Sequence, residues 1–283
     1  MIQNFETFLN DNLPKTESFH PHFDEAIHII MRSGGKRFRP ALLLSVVNAF
    51  EPLLVKNVYT VALAIECLHT YSLIHDDLPS MDDAALRRGV ETLHITYDEV
   101  TAVLAGDALN TYAFELLSEA ALSAQTRIEL VASLAKNGGL SGMVLGQAID
   151  CHFENKLLTL DELKTLHLNK TAKLIAASLE MGAIIINDKV LAQKLYDFGL
   201  DLGLLFQIQD DILDVTLSSE EAGKTTANDG DKNSFVNLLG LEGAHMSADE
   251  LVTSLKEQLA SFDSKLQDAL EPILKQYFNR HKG

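Results

Sequence analysis

The sequence predicts an all-α protein: a single domain, residues 1–283, folded as a bundle of about ten or more helices around a central cavity. Three observations predict it. Apolar residues recur at helical spacing in segment after segment. No run of useful length alternates as a strand does. Two acidic clusters interrupt the most apolar helical runs. The 283 residues, 47% of them hydrophobic, are ample for a sizeable core. A net charge of −17 repels nucleic acid and anionic membrane surfaces at long range. Cys67 and Cys151 both lie in apparently helical segments and read as reduced thiols, not as a disulfide framework. Met1–Glu6 lacks the basic and apolar regions of a signal peptide, and the apolar stretches Ala41–Phe50 and Leu202–Ile208 fall short of the ~20 residues of a membrane span. The expectation is a cytoplasmic protein without stable membrane insertion.

In chain order, residues 1–32 carry Phe5, Phe8 and Leu9 at helix spacing, interrupted by Pro14 and Pro21. Ser33-Gly34-Gly35-Lys36-Arg37-Phe38-Arg39-Pro40 follows. Its glycines loosen the backbone and its cations cluster at a helix start, where N–H groups also favour an anion. A turn with a solvated basic patch is the plainer alternative. Ala41–Phe50 and Val55–Asp77 are rich in Ala, Leu and Ile and read as helices. His69 stands two turns before Asp76 on the same face. Pro79 ends or bends the second helix near Leu78, because proline disfavours helical geometry in the residue before it. Ser80-Met81 then loops round and brings Asp82 back toward Asp76 and Asp77. Arg87 and Arg88 follow, and arginine grips phosphate in bidentate fashion.

Glu91–Val100 reads as a polar connection and Ala108–Ala121 as a helix opened by Gly106-Asp107. Residues 125–150 read as one long helix, with Gly138, Gly142 and Gly146 spaced for close packing and Gln147 and Asp150 on one face. Asp161–Leu166 begins another helix, Asn169-Lys170-Thr171 follow, and residues 172–215 are again helical. On that helix Asp210 and Asp214 share a face, with Gln207 and Asp211 beside them. Ser218–Asn233 is the clear break in composition, a polar surface loop carrying Lys224, Asp229 and Lys232. Helices complete residues 233–279. The basic tail Asn279-Arg280-His281-Lys282 is expected to be disordered without ligand and to close over a bound anion.

A carboxylate beside apolar walls costs several kcal/mol unless a counter-charge arrives. A solvated acidic face is one reading of the clusters. The sharper one is a hard-cation site, and Mg²⁺ suits one or two carboxylates plus substrate phosphates.

DDLPSMDDAALRRG followed by FQIQDDILD resembles the pair of aspartate-rich motifs of the trans-prenyltransferases, the polyprenyl synthetase family. The spacing of Asp77 and Asp82 is similar to its bacterial farnesyl-type branch, and GGKRFRP, GQAID and Lys170-Thr171 also stand in the family's order. The resemblance implies a transferase that condenses isopentenyl diphosphate with dimethylallyl or geranyl diphosphate, giving mainly the fifteen-carbon product. It implies Mg²⁺, three per site with Mn²⁺ as a substitute, on Asp76, Asp77, Asp82, Asp210, Asp211 and Asp214. Isopentenyl diphosphate would bind Lys36, Arg39, His69 and Arg88; the allylic diphosphate would bind Arg87, Lys170, Thr171, Gln207, Lys224 and Lys232. Asp76, Asp82, Asp210, Lys170 and Lys224 would stand nearest the chemistry, Tyr71 and Ser72 would limit chain length, and the protein would be a homodimer. The chain departs from the family pattern with Ala84 for aspartate, Glu91 for proline, Asp98 for glycine, Ser234-Phe235 for Thr-Tyr and a shortened 224–232 interval. A class I terpene cyclase and a non-catalytic partner subunit are the other readings; the first would not need GGKRFRP, and the second usually loses an aspartate motif.

Overall fold

The structure, a computed structural model, describes residues 1–216 and 233–282. Helices α1 (Ile2–Asp11) and α2 (Phe23–Arg32) each bury one apolar stripe, Phe5 and Leu9 on the first and Ala26, Ile27, Ile30 and Met31 on the second. Next come α3 (Phe38–Phe50), a 3₁₀ turn (Pro52–Val58) and α4 (Tyr59–Asp76). Both helices are apolar nearly all round, as befits central elements. After α4, β1 (Leu86–Arg87) pairs antiparallel with β2 (Val90–Glu91), a small hairpin that the sequence did not announce. Arg88 and Gly89 at its tip both have positive φ, as a two-residue turn of the primed type requires.

The presumed polar connection that follows is structured. It contains α5 (Leu93–Thr96) and the start of α6 (Glu99–Glu119), which begins well before Gly106. The cause is Asp98, whose carboxylate accepts the Thr101 N–H at 2.6 Å and caps the helix. The expected 125–150 helix is two helices, α7 (Ala124–Gly138) and α8 (Met143–Phe153). Chain turns between Gly139 and Gly142, and a Cβ on Gly142 would overlap the Asn137 carbonyl.

Then come α9 (Leu160–His167), opened by a reciprocal Thr159–Glu162 capping box, a π turn (Leu168–Ala172), α10 (Lys173–Ile185) and α11 (Lys189–Thr216). The described chain ends with α12 (Phe235–Ala260), α13 (Ser264–Phe278) and a 3₁₀ turn (Arg280–Lys282).

One apolar core gathers α1, α2, α4, α6 and α7; a second gathers α9, α11, α12 and α13. Helices α3 and α10 bridge them. Leu43, Leu44 and Val47 face the first core while Leu42 and Val46 face the second. The stretch Pro52–Asp76 is long and apolar enough to meet a membrane-span test, contrary to the sequence reading, but 67% of its most apolar window is buried among the other helices. The C-terminal residues, expected to be disordered without ligand, form a 3₁₀ turn with side-chain partners. His281 is 3.1 Å from Asp249 and 2.9 Å from Gln209, and Lys282 pairs with Asp249 at 2.7 Å.

Candidate active site

The C-terminal end of α4 sets the site. Asp76 is its last residue, and the chain turns under Pro79 so that the Asp82 N–H donates to the Asp76 carbonyl at 2.9 Å. The two aspartates six apart are thereby brought together, as proline's effect on the helix ladder requires. Asp76 and Asp82 line a cavity of about 690 Å³ with Tyr71, Ser72, Gln147 and Lys170. Burial raises the Asp76 carboxyl to about 6, against the pull of Lys170.

Lys170 enters from the π turn, a backbone irregularity often found at functional sites. Its Nζ donates to Asp150 at 2.5 Å. Burial alone would lower this lysine; Asp150, Asp76 and Asp82 outweigh it and hold the ammonium above its usual value. Gly146 lets α8 lie directly on this turn, because a Cβ there would run into the Lys170 backbone and come within 2.7 Å of the Asn169 carbonyl carbon. Thr171 and Gln207 also line the cavity, and the Thr171 hydroxyl donates to Gln207 Oε1 at 3.1 Å.

A second cleft of about 230 Å³ adjoins the first, and the two share Arg39, His69 and Phe206. Lys36, Arg88 and Arg280 add further positive charge to the second cleft. Arg39 Nη1 donates to His69 Nε2 at 3.1 Å, while Arg39 Nε is buried with no hydrogen-bond partner among the described residues. Burial pulls Arg39 down to about 10, and burial with the neighbouring arginines holds His69 far below its ordinary value. Arg88 Nη1 donates to the Gly34 carbonyl at 2.5 Å, which ties the hairpin to the glycine loop. Lys36 lies 5.5 Å from the centre of the Tyr277 ring. An orphaned guanidinium N–H among so many cations is chemistry that an anion would satisfy.

Several expected ligands have other partners. Asp77 is 2% exposed, turns away from the cavity and pairs with Arg87. Arg87 still lines the larger cavity. Asp211 accepts the Phe235 N–H at 2.7 Å and so caps α12. Asp210 pairs with Arg280 at 2.6 Å, and Arg280 also lies 4.8 Å over the Phe206 ring. Asp214 is one turn further along α11. Tyr71 packs edge-on to His75 at 5.2 Å, and the Ser72 hydroxyl donates to the His69 carbonyl. Lys224 and Lys232 lie outside the described residues.

Among the described residues, no three Asp, Glu, His or Cys side chains converge into a closed metal cage. The oxygen donors fit Mg²⁺ in its open mode, with one or two carboxylates from the protein and the remaining ligands from water and phosphate. Arg280 and the Asp150–Lys170 pair escaped the sequence reading as cavity-mouth partners. The basic C-terminal tail was the signal for the first, and the shared face of Gln147 and Asp150 for the second.

The geometry defines a predominantly helical protein whose acidic cavity and adjoining basic cleft are suited to diphosphate groups and divalent cations. Residues 20–273 match the polyprenyl synthetase family, and the chain belongs to that family. It is 39% identical to the farnesyl diphosphate synthase of Micrococcus luteus, covering 100% of this chain and 98% of that one. It is 44% identical to the chloroplastic geranylgeranyl pyrophosphate synthase of Capsicum annuum, over 87% of this chain and 68% of that protein. The crystal structure of a geranyltransferase from Helicobacter pylori, complexed with magnesium and isoprenyl diphosphate, superposes with a TM-score of 0.93 at 51% identity, covering 100% of this chain and 95% of that one.

Proposed function

We propose that this protein is a short-chain prenyl diphosphate synthase that joins isopentenyl diphosphate to dimethylallyl and geranyl diphosphates and releases mainly farnesyl diphosphate. The observation that carries this reading is the pair of adjoining cavities, one lined by Asp76, Asp82, Lys170 and Gln207 and one by Lys36, Arg39 and Arg88, meeting at Arg39 and His69. Two diphosphates could lie side by side there with their hydrocarbon ends in the larger, mostly apolar space. The farnesyl diphosphate synthases among its relatives support the product assigned.

Asp76, Asp82, Asp210 and Asp214 would hold Mg²⁺, three ions per site, with Mn²⁺ as a substitute. When bound, the ions would neutralise charge building on the departing diphosphate. Lys170, Thr171, Gln207 and Arg87 would grip that diphosphate, with Lys224 and Lys232 added from outside the described residues. At an effective dielectric near 20, opposite unit charges ~4 Å apart attract by roughly 4 kcal/mol, so separating an allylic cation from diphosphate needs such stabilisation of the leaving group. Lys36, Arg39, His69 and Arg88 would hold isopentenyl diphosphate, whose double bond attacks the cation. A C2–H proton is then lost to the departed diphosphate. No protein nucleophile is required.

Residues 1–283 would act as one domain in a cytoplasmic homodimer, without nucleic-acid binding and without stable membrane insertion. Val100, Val103 and Leu104, exposed apolar residues at helical spacing on α6, support a protein partner. Replacing Arg39 with alanine should raise the KM for isopentenyl diphosphate much more than that for geranyl diphosphate in steady-state assays. A larger effect on the allylic side would mean that the two sites are exchanged.

A further inference from the structure

His167 has no role in the chemistry proposed above. It ends α9, immediately before the π turn that carries Lys170 and Thr171. Its imidazole is 8% exposed and lies nearly parallel to the Phe235 ring, with centroids 5.5 Å apart. Burial pulls it down to about 4, so the ring is neutral at physiological pH. Nδ1 is 3.1 Å from Gln207 Oε1, and Nε2 is buried with no hydrogen-bond partner among the described residues. The Thr171 hydroxyl donates to the same Gln207 oxygen. The other end of that amide, Nε2, lies 3.5 Å from Asp210 Oδ2.

Electrostatics fixes which way this amide points. With the ends exchanged, Gln207 would set its carbonyl oxygen against the Asp210 carboxylate, two acceptors with no hydrogen between them. With the carbonyl turned to His167, a neutral imidazole must carry its proton on Nδ1 to donate to it. Swinging the amide round would reverse both contacts, which needs the His167 proton on Nε2 and sets the Gln207 carbonyl against Asp210. Phe235, which backs the imidazole, is itself tied to the second acidic cluster through its N–H to Asp211.

We infer that His167, as its Nδ1–H tautomer, is a positioning residue that together with Thr171 turns the Gln207 NH₂ group toward Asp210 and the cavity. That this NH₂ group meets the allylic diphosphate rests on the function proposed above; the tautomer and the amide orientation do not.

Two measurements test it. A long-range ¹H–¹⁵N spectrum of ¹⁵N-histidine-labelled wild-type protein should place the His167 proton on Nδ1, and a proton on Nε2 overturns the inference. Calorimetry in Mg²⁺ with geranyl S-thiolodiphosphate, which does not readily ionise, gives the second readout. His167→Phe keeps the ring stacked on Phe235 but removes the donor; it should weaken binding about tenfold while isopentenyl diphosphate binds within about twofold of wild type. His167→Asn, whose side-chain N–H can stand near the place of Nδ1–H, should recover affinity to within about threefold. Equal losses for both ligands, or none, would overturn the positioning role. If the wild-type protein does not bind the thiolodiphosphate, the proposed function fails instead, and the spectrum still decides the tautomer. It decides it too if the phenylalanine variant does not fold.

Discussion

Replacing Gly146 with alanine sets two physical effects against each other. Helix propensity favours alanine inside α8 by ~1 kcal/mol. Packing opposes it, because the new methyl would fall on the Lys170 backbone and 2.7 Å from the Asn169 carbonyl carbon. These are backbone atoms, so no side-chain rotation relieves the overlap, and α8 or the π turn must shift. Overpacking of this kind costs ~1–3 kcal/mol and should outweigh the propensity gain. Because the overlap is with backbone atoms, the cost should fall at the upper end of that range, a net loss of about 2 kcal/mol, read as a Tm lower by roughly 4–8 °C for a domain of this size. The functional loss should be larger. Lys170 Nζ is held 2.5 Å from Asp150 beside Asp76 and Asp82, and a misplacement of about 1 Å at a reacting centre can cost ~10²-fold in rate. Thermal melts and steady-state turnover of the purified variant check both parts. A Gly146→Ala protein with a raised Tm and unchanged kcat would refute the close approach and the role given to the π turn.

Two further outcomes follow from other side chains. Asp77→Asn should cost about 2–3 kcal/mol by leaving the Arg87 guanidinium without its buried counter-charge, while the Mg²⁺ concentration for half-maximal rate stays within about twofold of wild type. A tenfold change in that Mg²⁺ concentration with stability untouched would restore Asp77 as a metal ligand. Tyr71 lies five residues before Asp76, ~7.5 Å back along the helix, and its ring lines the cavity; Tyr71→Ala should therefore yield products of twenty carbons or more by chromatography, and an unchanged fifteen-carbon product would put the cavity floor elsewhere.

Much of the fold was legible because apolar periodicity in long helices is a strong signal, and α3 and α4 stand close to where the pattern put them; the run 172–215, expected as one helix, is divided into α10 and α11 by a turn at residues 186–188, where Asn187 has positive φ. The return of Asp82 to Asp76 was legible too, since proline dictates it. What escaped is of two kinds, local breaks and caps that apolar periodicity does not register, and carboxylates claimed by other segments. The break between α7 and α8 falls inside a run whose apolar pattern continues through it. Asp98 sits where the family pattern has glycine, yet its short carboxylate is what caps α6. Asp77 and Asp211 read as members of acidic clusters, but Arg87 and the Phe235 N–H claim their carboxylates. Spacing along a helix tells which carboxylates share a face. It does not tell which of them another segment will occupy.

The most direct measurement is incubation of the purified protein with isopentenyl and geranyl diphosphates, with and without Mg²⁺, followed by chromatographic sizing of the products. A fifteen-carbon diphosphate should be the main product, abolished by EDTA and restored by added Mg²⁺. Full activity in metal-free buffer, or no condensation of the two substrates under any metal condition, would contradict it.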